Sequence, residues 1–147
     1  MDIKAADVKK LREKTGAGMM DCKKALTEAD GDFAKAERIL KEMGLAAAEK
    51  RSGRATNEGR VFTKVEGKRA GILELSCETD FVARNKDFIS LGRTMLDKML
   101  SEGLTGESEE IQSMLQEAIG TIKENMGFRR FATMEADDTE LVVDYVH

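Results

Sequence analysis

Catalysis and metal binding need nucleophiles, bases or ligands at workable spacings, and this chain offers few of them. Its 147 residues hold two cysteines, Cys22 and Cys77, and a single histidine, His147, at the last position. Structural zinc takes four Cys/His ligands in paired spacings, so a site of that kind is excluded. With the only imidazole at the chain end, neither a Cys–His pair nor a Ser–His–Asp relay can be assembled. The phosphate-cradling patterns G-x-x-x-x-G-K-[ST] and G-x-G-x-x-G are absent from the sequence. Both cysteines fall on apolar positions of their elements and read as buried free thiols rather than as a disulfide or a nucleophile. These residues argue against an enzyme, with no catalytic group, no cofactor and no metal expected.

What remains are side chains able to touch another molecule. The segment Glu78-Thr79-Asp80-Phe81-Val82-Ala83-Arg84-Asn85 joins a strand pattern to a helix pattern, and it sets an aromatic ring beside a carboxylate where loops usually surface. Two readings stay open for Phe81: a staple folded back onto the helix layer, or an exposed wedge with Asp80 at its base. Asp80 is the expected cap of a short helical turn there, and Asn85 that of the helix after it. Met20 is similarly divided. Its helical neighbours Lys23, Lys24 and Thr27 form a polar face, so it is a solvent-side residue or the tip of a partner-binding loop. Basic residues crowd Lys50–Arg69 (Lys50, Arg51, Arg54, Arg60, Lys64, Lys68, Arg69), whereas ten acids lie between Glu107 and His147. A basic hairpin could meet nucleic acid, but a pI of 5.2 and the lack of an RNP-like aromatic pair favour a solvated face. The acidic end likewise reads as solvent-facing.

The elements that must position these residues follow from composition and periodicity. At 41% hydrophobic and 35% charged, with a formal charge of −4, the chain can bury a core. It has neither a run of about 18 apolar residues nor a secretory signal, so the cytoplasm is the expected compartment. Proline is absent and helix breaking falls to thirteen glycines. Residues 1–52 read as a helical bundle. One helix covers about Ala5–Lys14 with Val8 and Leu11 inward, and Thr15-Gly16-Ala17-Gly18 breaks it. A second carries Met19, Cys22, Ala25, Leu26 and Ala29 on one stripe. After the turn Asp30-Gly31, Asp32 caps a third with Phe33, Ala36, Leu40 and Met43 inward; Gly44 closes it, and a fourth piece runs from Leu45 to Arg51. Residues 53–60 read as a linker, and 61–147 as an α+β domain. There Val61–Val65 and Leu73–Cys77 alternate around Gly67-Lys68-Arg69, a β-hairpin. Helices over Asn85–Leu100 and Ser108–Met126 cover one face of the sheet, and strands follow at Phe128–Thr133 and Leu141–Val146. The fold class is α+β, with helices packed on one face of an antiparallel sheet.

The stretches Thr15-Gly16-Ala17-Gly18-Met19-Met20-Asp21-Cys22-Lys23-Lys24-Ala25-Leu26 and Cys77-Glu78-Thr79-Asp80-Phe81-Val82-Ala83-Arg84-Asn85 closely resemble translation elongation factor Ts. The likeness extends to Glu58-Gly59, the hairpin, Arg129-Arg130 and the terminal Tyr145-Val146-His147, and so spans essentially the whole chain. It implies a guanine nucleotide exchange factor for the GTPase elongation factor Tu, with a three-helix ubiquitin-associated-like bundle that docks on the nucleotide-binding domain. Partner-binding roles then pass to Met19 and Met20, with Leu11 and Lys23 nearby. They pass to Asp80 and Phe81 as the pair inserted beside the nucleotide to disturb magnesium coordination, and to His147 near the phosphate loop. Ile122 fits a further family contact, whereas Lys123 stands where the family often has glycine.

Relatives normally continue past His147 with another strand, so the α+β domain is expected to be incomplete at its C-terminal end. Leu141–Val146 would then expose an unpaired edge through which a homodimer could form. The rival function is a non-catalytic adaptor or ribosome-associated RNA-binding module acting through the basic hairpin. Neither a membrane nor direct nucleic-acid contact is expected of an exchange factor of this kind.

Overall fold

The computed structural model describes residues 2–147. Helices α1 (Ala5–Thr15), α2 (Met19–Glu28) and α3 (Phe33–Arg51) are followed by strands β1 (Glu58–Glu66) and β2 (Arg69–Cys77). The short helix α4 (Asp80–Ala83), helices α5 (Lys86–Glu102) and α6 (Glu109–Ile122), and strand β3 (Met126–Glu135) complete the order. The α+β architecture read from the sequence is the one observed.

Local chemistry explains most boundaries in the first helices. Gly16 ends α1 at φ 72°, a left-handed position cheap only for glycine, and its N–H donates to the Arg12 carbonyl at 2.8 Å. The Asp32 carboxylate accepts the Lys35 N–H at 2.9 Å and starts α3. Val8, Leu11, Cys22, Ala25, Leu26, Ala29 and Ala36 form one buried cluster. Leu11 and Leu26 are each fully removed from water, worth about 1.5–3 kcal/mol apiece. Met19 corrects the expected inward stripe: at the first position of α2 it lies beyond the cluster and is 41% exposed.

Gly44 does not end α3, contrary to expectation; the helix runs 19 residues without interruption. A single interior glycine costs about 1 kcal/mol, too little to end a packed helix, and the close crossing at this point depends on a glycine of the other helix. A Cβ built on Gly120 of α6 would lie 2.6 Å from the Gly44 Cα. The same crossing draws Ala48 of α3 into the second buried cluster, which fills the space between sheet and helices.

The sheet is antiparallel in the order β1-β2-β3. Glu66 pairs with Arg69, and Gly67 supplies φ 59° at the first central position of the two-residue turn, as a type II′ hairpin requires. Phe62, Leu73 and Leu75 face the helices and meet Phe88, Met95, Leu96 and Met99 of α5 and Ile111 and Leu115 of α6. The Phe62 ring lies where a side chain at Gly92 would be, 2.2 Å from an ideal Cβ. β1 begins at Glu58, so the irregular connection is shorter than the expected 53–60 linker.

Two further expectations are corrected. Met126 does not continue α6 but opens β3, because Lys123 turns the chain at φ 68°. Leu141–Val146 forms no strand. It makes no backbone ladder with the sheet and is tied to the hairpin by side-chain bonds instead, Thr63 Oγ1 donating to Asp144 Oδ2 at 2.7 Å and Lys68 Nζ to the carbonyl of Glu140 just before it. Leu141, Val143 and Tyr145 stay exposed.

Candidate functional site

β2 ends at Cys77, and the chain reaches α5 through the four-residue helix α4. Thr79, not Asp80, caps this helix: its Oγ1 accepts the Val82 N–H at 3.3 Å. Asn85 caps α5 as expected, its Oδ1 accepting the Asp87 N–H at 2.8 Å. Inside the turn, Val82 packs on the second core cluster and Ala83 is buried in it. Arg60 of β1 donates to the Ala83 carbonyl at 3.1 Å and fastens the end of α4 to the sheet. With α4 so oriented, Phe81 points away and is 82% exposed. Of the two readings left open, the staple is excluded and the exposed ring is observed. Asp80, at its base, pairs with Arg84 at 3.1 Å.

The start of the turn is anchored from the far side of the chain. Glu124 Oε1 accepts the backbone N–H groups of Glu78 and Thr79 at 3.1 and 3.0 Å, and its Oε2 accepts the Thr79 hydroxyl at 2.7 Å. In return, Glu78 Oε1 accepts the Asn125 N–H at 2.8 Å. The Asn125 side-chain amide donates to the Arg54 carbonyl at 2.7 Å, which ties in the connection before β1. Cys77 lies under this network with its thiol pushed up to about 11 by burial, reinforced by the negative charge of Glu124. Cys22 is the other buried free thiol; its pKa is also raised, chiefly by burial.

The remaining site residues fall into two places. His147 accompanies Asp80 and Arg84 around a shallow cleft beside β1, and its Nδ1 lies 2.9 Å from the Tyr145 hydroxyl. Met20 is 74% exposed at the start of α2, with Met19 beside it and Lys23 also exposed. This tip rests near the end of α6. A Cβ on Gly16 would lie 3.6 Å from the Thr121 methyl, and Lys123 Nζ is 3.8 Å from Asp21 Oδ2. Ile122, at that end of α6, is half-buried. Leu11 is the exception: with no exposed surface, it supports α2 from inside the bundle and presents nothing to a partner.

Comparison with known proteins follows the same motifs. Residues 78–147 match the family described as Elongation factor TS. Elongation factor Ts of Treponema denticola is 46% identical over 147 residues, 100% of this chain and 52% of the relative. That of Clostridium botulinum (strain Eklund 17B / Type B) is 49% identical over 158 residues, 99% of this chain and 52% of the relative. That of Borrelia hermsii is 44% identical over 147 residues, 100% of this chain and 53% of the relative. The chain belongs to the elongation factor Ts family. It spans about half the length of the curated relatives it matches.

Membership in the elongation factor Ts family gives a physical meaning to one departure. Lys123 caps α6 in the left-handed conformation, φ 68° and ψ 30°, which a residue with a Cβ adopts at a cost of about 1 kcal/mol. The glycine expected there meets the same backbone demand without that cost. Arg129 and Arg130, part of the same resemblance, serve the sheet. Arg129 stands at the bulge opposite Glu74/Leu75 and donates to the Ser76 hydroxyl and the Thr56 carbonyl at 3.2 and 3.0 Å, while Arg130 pairs with Glu74. Among the described residues no helix is long and apolar enough to cross a membrane, and no group of three or more His, Cys, Asp or Glu could hold a metal ion.

Thr79 and Glu124 are the residues that reading the sequence missed. Thr79 carries a recognisable signal, a hydroxyl one place before the acidic residue expected as the cap. Glu124 had none, since its partners lie 45 and 46 residues away.

Proposed function

We propose that this chain promotes release of GDP from the GTPase elongation factor Tu. The observation that carries the reading is the exposed Phe81 ring on a turn that is itself fastened at both ends. Met19, Met20 and Lys23 form the docking tip of the 1–52 bundle. Asp80 and Phe81, on the 61–147 unit, act at the nucleotide site, and Ile122 and His147 contact the GTPase beside them. Loss of magnesium coordination there is an effective lever, because the divalent ion is the largest local charge on a phosphate site. No bond is made or broken, so the chain needs no catalytic group of its own, and it works where the GTPase works, in the cytoplasm.

The thermodynamics is that of linkage. A factor that binds the nucleotide-free GTPase more tightly than the GDP form weakens GDP by the same ratio. Seating one exposed phenylalanine side chain in an apolar slot supplies about 1.5–3 kcal/mol, on the order of a tenfold to hundredfold change. The rival RNA-binding reading loses support from the partners of the basic hairpin. Arg54 pairs with Glu78, Lys64 with Asp97 and Arg69 with Glu135, and Arg60 is taken up by the Ala83 carbonyl.

The test is release of a fluorescent GDP analogue from preloaded elongation factor Tu. Phe81→Ala should fold with parent stability, because the ring is exposed, and slow the maximal release rate by about tenfold or more. Exchange at the parent rate by that variant would refute the wedge.

A further inference from the structure

The Phe81 turn has little stability of its own. α4 is four residues long, and a helix that short does not persist without tertiary support. Val82 and Ala83 give the turn an apolar footing, but neither sets its direction where it leaves β2. That direction depends on Thr79, which links β2 to α4 and whose hydroxyl caps the helix. One carboxylate takes up all of this residue's outward donors and that of its neighbour: Glu124 accepts Thr79 N–H, Thr79 Oγ1–H and Glu78 N–H, at 2.7–3.1 Å. Hydrogen bonds to an ionised acceptor are about twice as strong as neutral ones, and two of these go to backbone groups, which cannot rotate away. The reciprocal bond from Asn125 N–H to Glu78 makes the pairing of the two segments two-sided.

From this geometry we propose that Glu124 is the positioning residue of the wedge, fixing Thr79 and through it the angle at which Phe81 is presented. The inference rests on the exchange reading above and adds to it a residue that touches neither nucleotide nor ring. Glu124 occupies the first position after the Lys123 left-handed turn, and Lys123 Nζ in turn lies 3.8 Å from Asp21 at the docking tip. The same short turn thus stands between the Met19–Met20 tip and the Phe81 turn, so a factor docked through its bundle delivers the ring at an angle set by residues 123–125.

Two variants of the full chain separate this from a merely structural role. Glu124→Ala removes both carboxylate oxygens and with them all three bonds. Glu124→Gln keeps an oxygen for the two backbone N–H groups, and its amide can donate to the Thr79 hydroxyl, which is able to accept. Amide hydrogen exchange is measured first. In Glu124→Ala the Glu78 and Thr79 N–H groups should exchange at least about tenfold faster, with the β2 amides of Leu73 and Leu75 still protected. In Glu124→Gln all four should stay protected. In the GDP-release assay Glu124→Ala should lower the maximal rate by about tenfold to a hundredfold, the usual cost of displacing an acting group by about an ångström. Its half-saturating concentration should stay within about twofold, since the bundle docks as before. Glu124→Gln should restore most of the rate.

Unchanged protection of the Glu78 and Thr79 amides in Glu124→Ala overturns the proposal. So does lost protection with a parent maximal rate, or a Gln variant as slow as Ala with its amides protected. Phe81→Ala, assayed alongside, keeps the two readings apart. A parent rate for that variant removes the exchange reading, while the amide protection still reports whether Glu124 holds the turn.

Discussion

Gly120→Ala places a methyl group where α6 crosses α3. Its ideal Cβ would lie 2.6 Å from the Gly44 Cα, 3.1 Å from the Gly44 oxygen and 3.2 Å from its carbonyl carbon. All three are backbone atoms of a helix and cannot move aside singly, so the two helices must separate. Overpacking of this kind costs about 1–3 kcal/mol, and alanine returns at most about 1 kcal/mol of helix propensity in the last turn. A net loss of about 1–2 kcal/mol follows, or a fall in Tm of roughly 3–6 °C for a chain of this size. The reciprocal substitution is the control. A Cβ on Gly44 would stand 4.0 Å from the Gly120 Cα, ordinary contact distance, in the interior of the 19-residue α3. Gly44→Ala should therefore gain about 0.5–1 kcal/mol and raise the Tm by a few degrees. Thermal unfolding of both variants by circular dichroism is the assay. Because this crossing sets the bundle against the unit carrying Phe81, Gly120→Ala should also raise the half-saturating concentration for GDP release. A Gly120→Ala protein at least as stable as Gly44→Ala would show that the close approach of the two helices is not the reason for glycine at 120.

Lys123→Gly should stabilise the chain by about 0.5–1 kcal/mol, since it relieves a left-handed lysine and forgoes only an exposed pair with Asp21, itself worth little. A lower Tm than the parent would contradict that. Stability should also fall in alkali through Cys77. Its thiol has an ordinary value of 9.0 and reaches about 11 in the fold, so the folded state favours the protonated form. That contribution is complete below pH 9 and is lost as pH rises through 11. Cys77→Ala should flatten this part of the Tm–pH profile, and a profile as steep as the parent's would remove Cys77 as its cause.

Short-range chemistry made much of this molecule readable from its residues in order. Asp32 and Asn85 are side-chain caps, Gly16 and Gly67 take the backbone where other residues are strained, and Phe88, Met95 and Met99 of α5 and Ile111 and Leu115 of α6 recur at helical spacing and are buried, because each pattern is set by neighbours a turn or two apart. The same locality marked Phe81 and Met20 as residues without an evident place in a core, and both proved exposed. Other features were settled only when distant segments met. Gly44 continues a helix rather than ending it because Gly120 packs against it. Leu141–Val146 alternates like a strand yet forms none, since a strand exists only through a hydrogen-bonded neighbour. The direction of the Phe81 ring belongs to this second group. Asp80 and Phe81 are adjacent in the chain, but Glu124 and Arg60 hold the turn that carries them, and a contact between such distant residues leaves no periodic trace in the residues themselves.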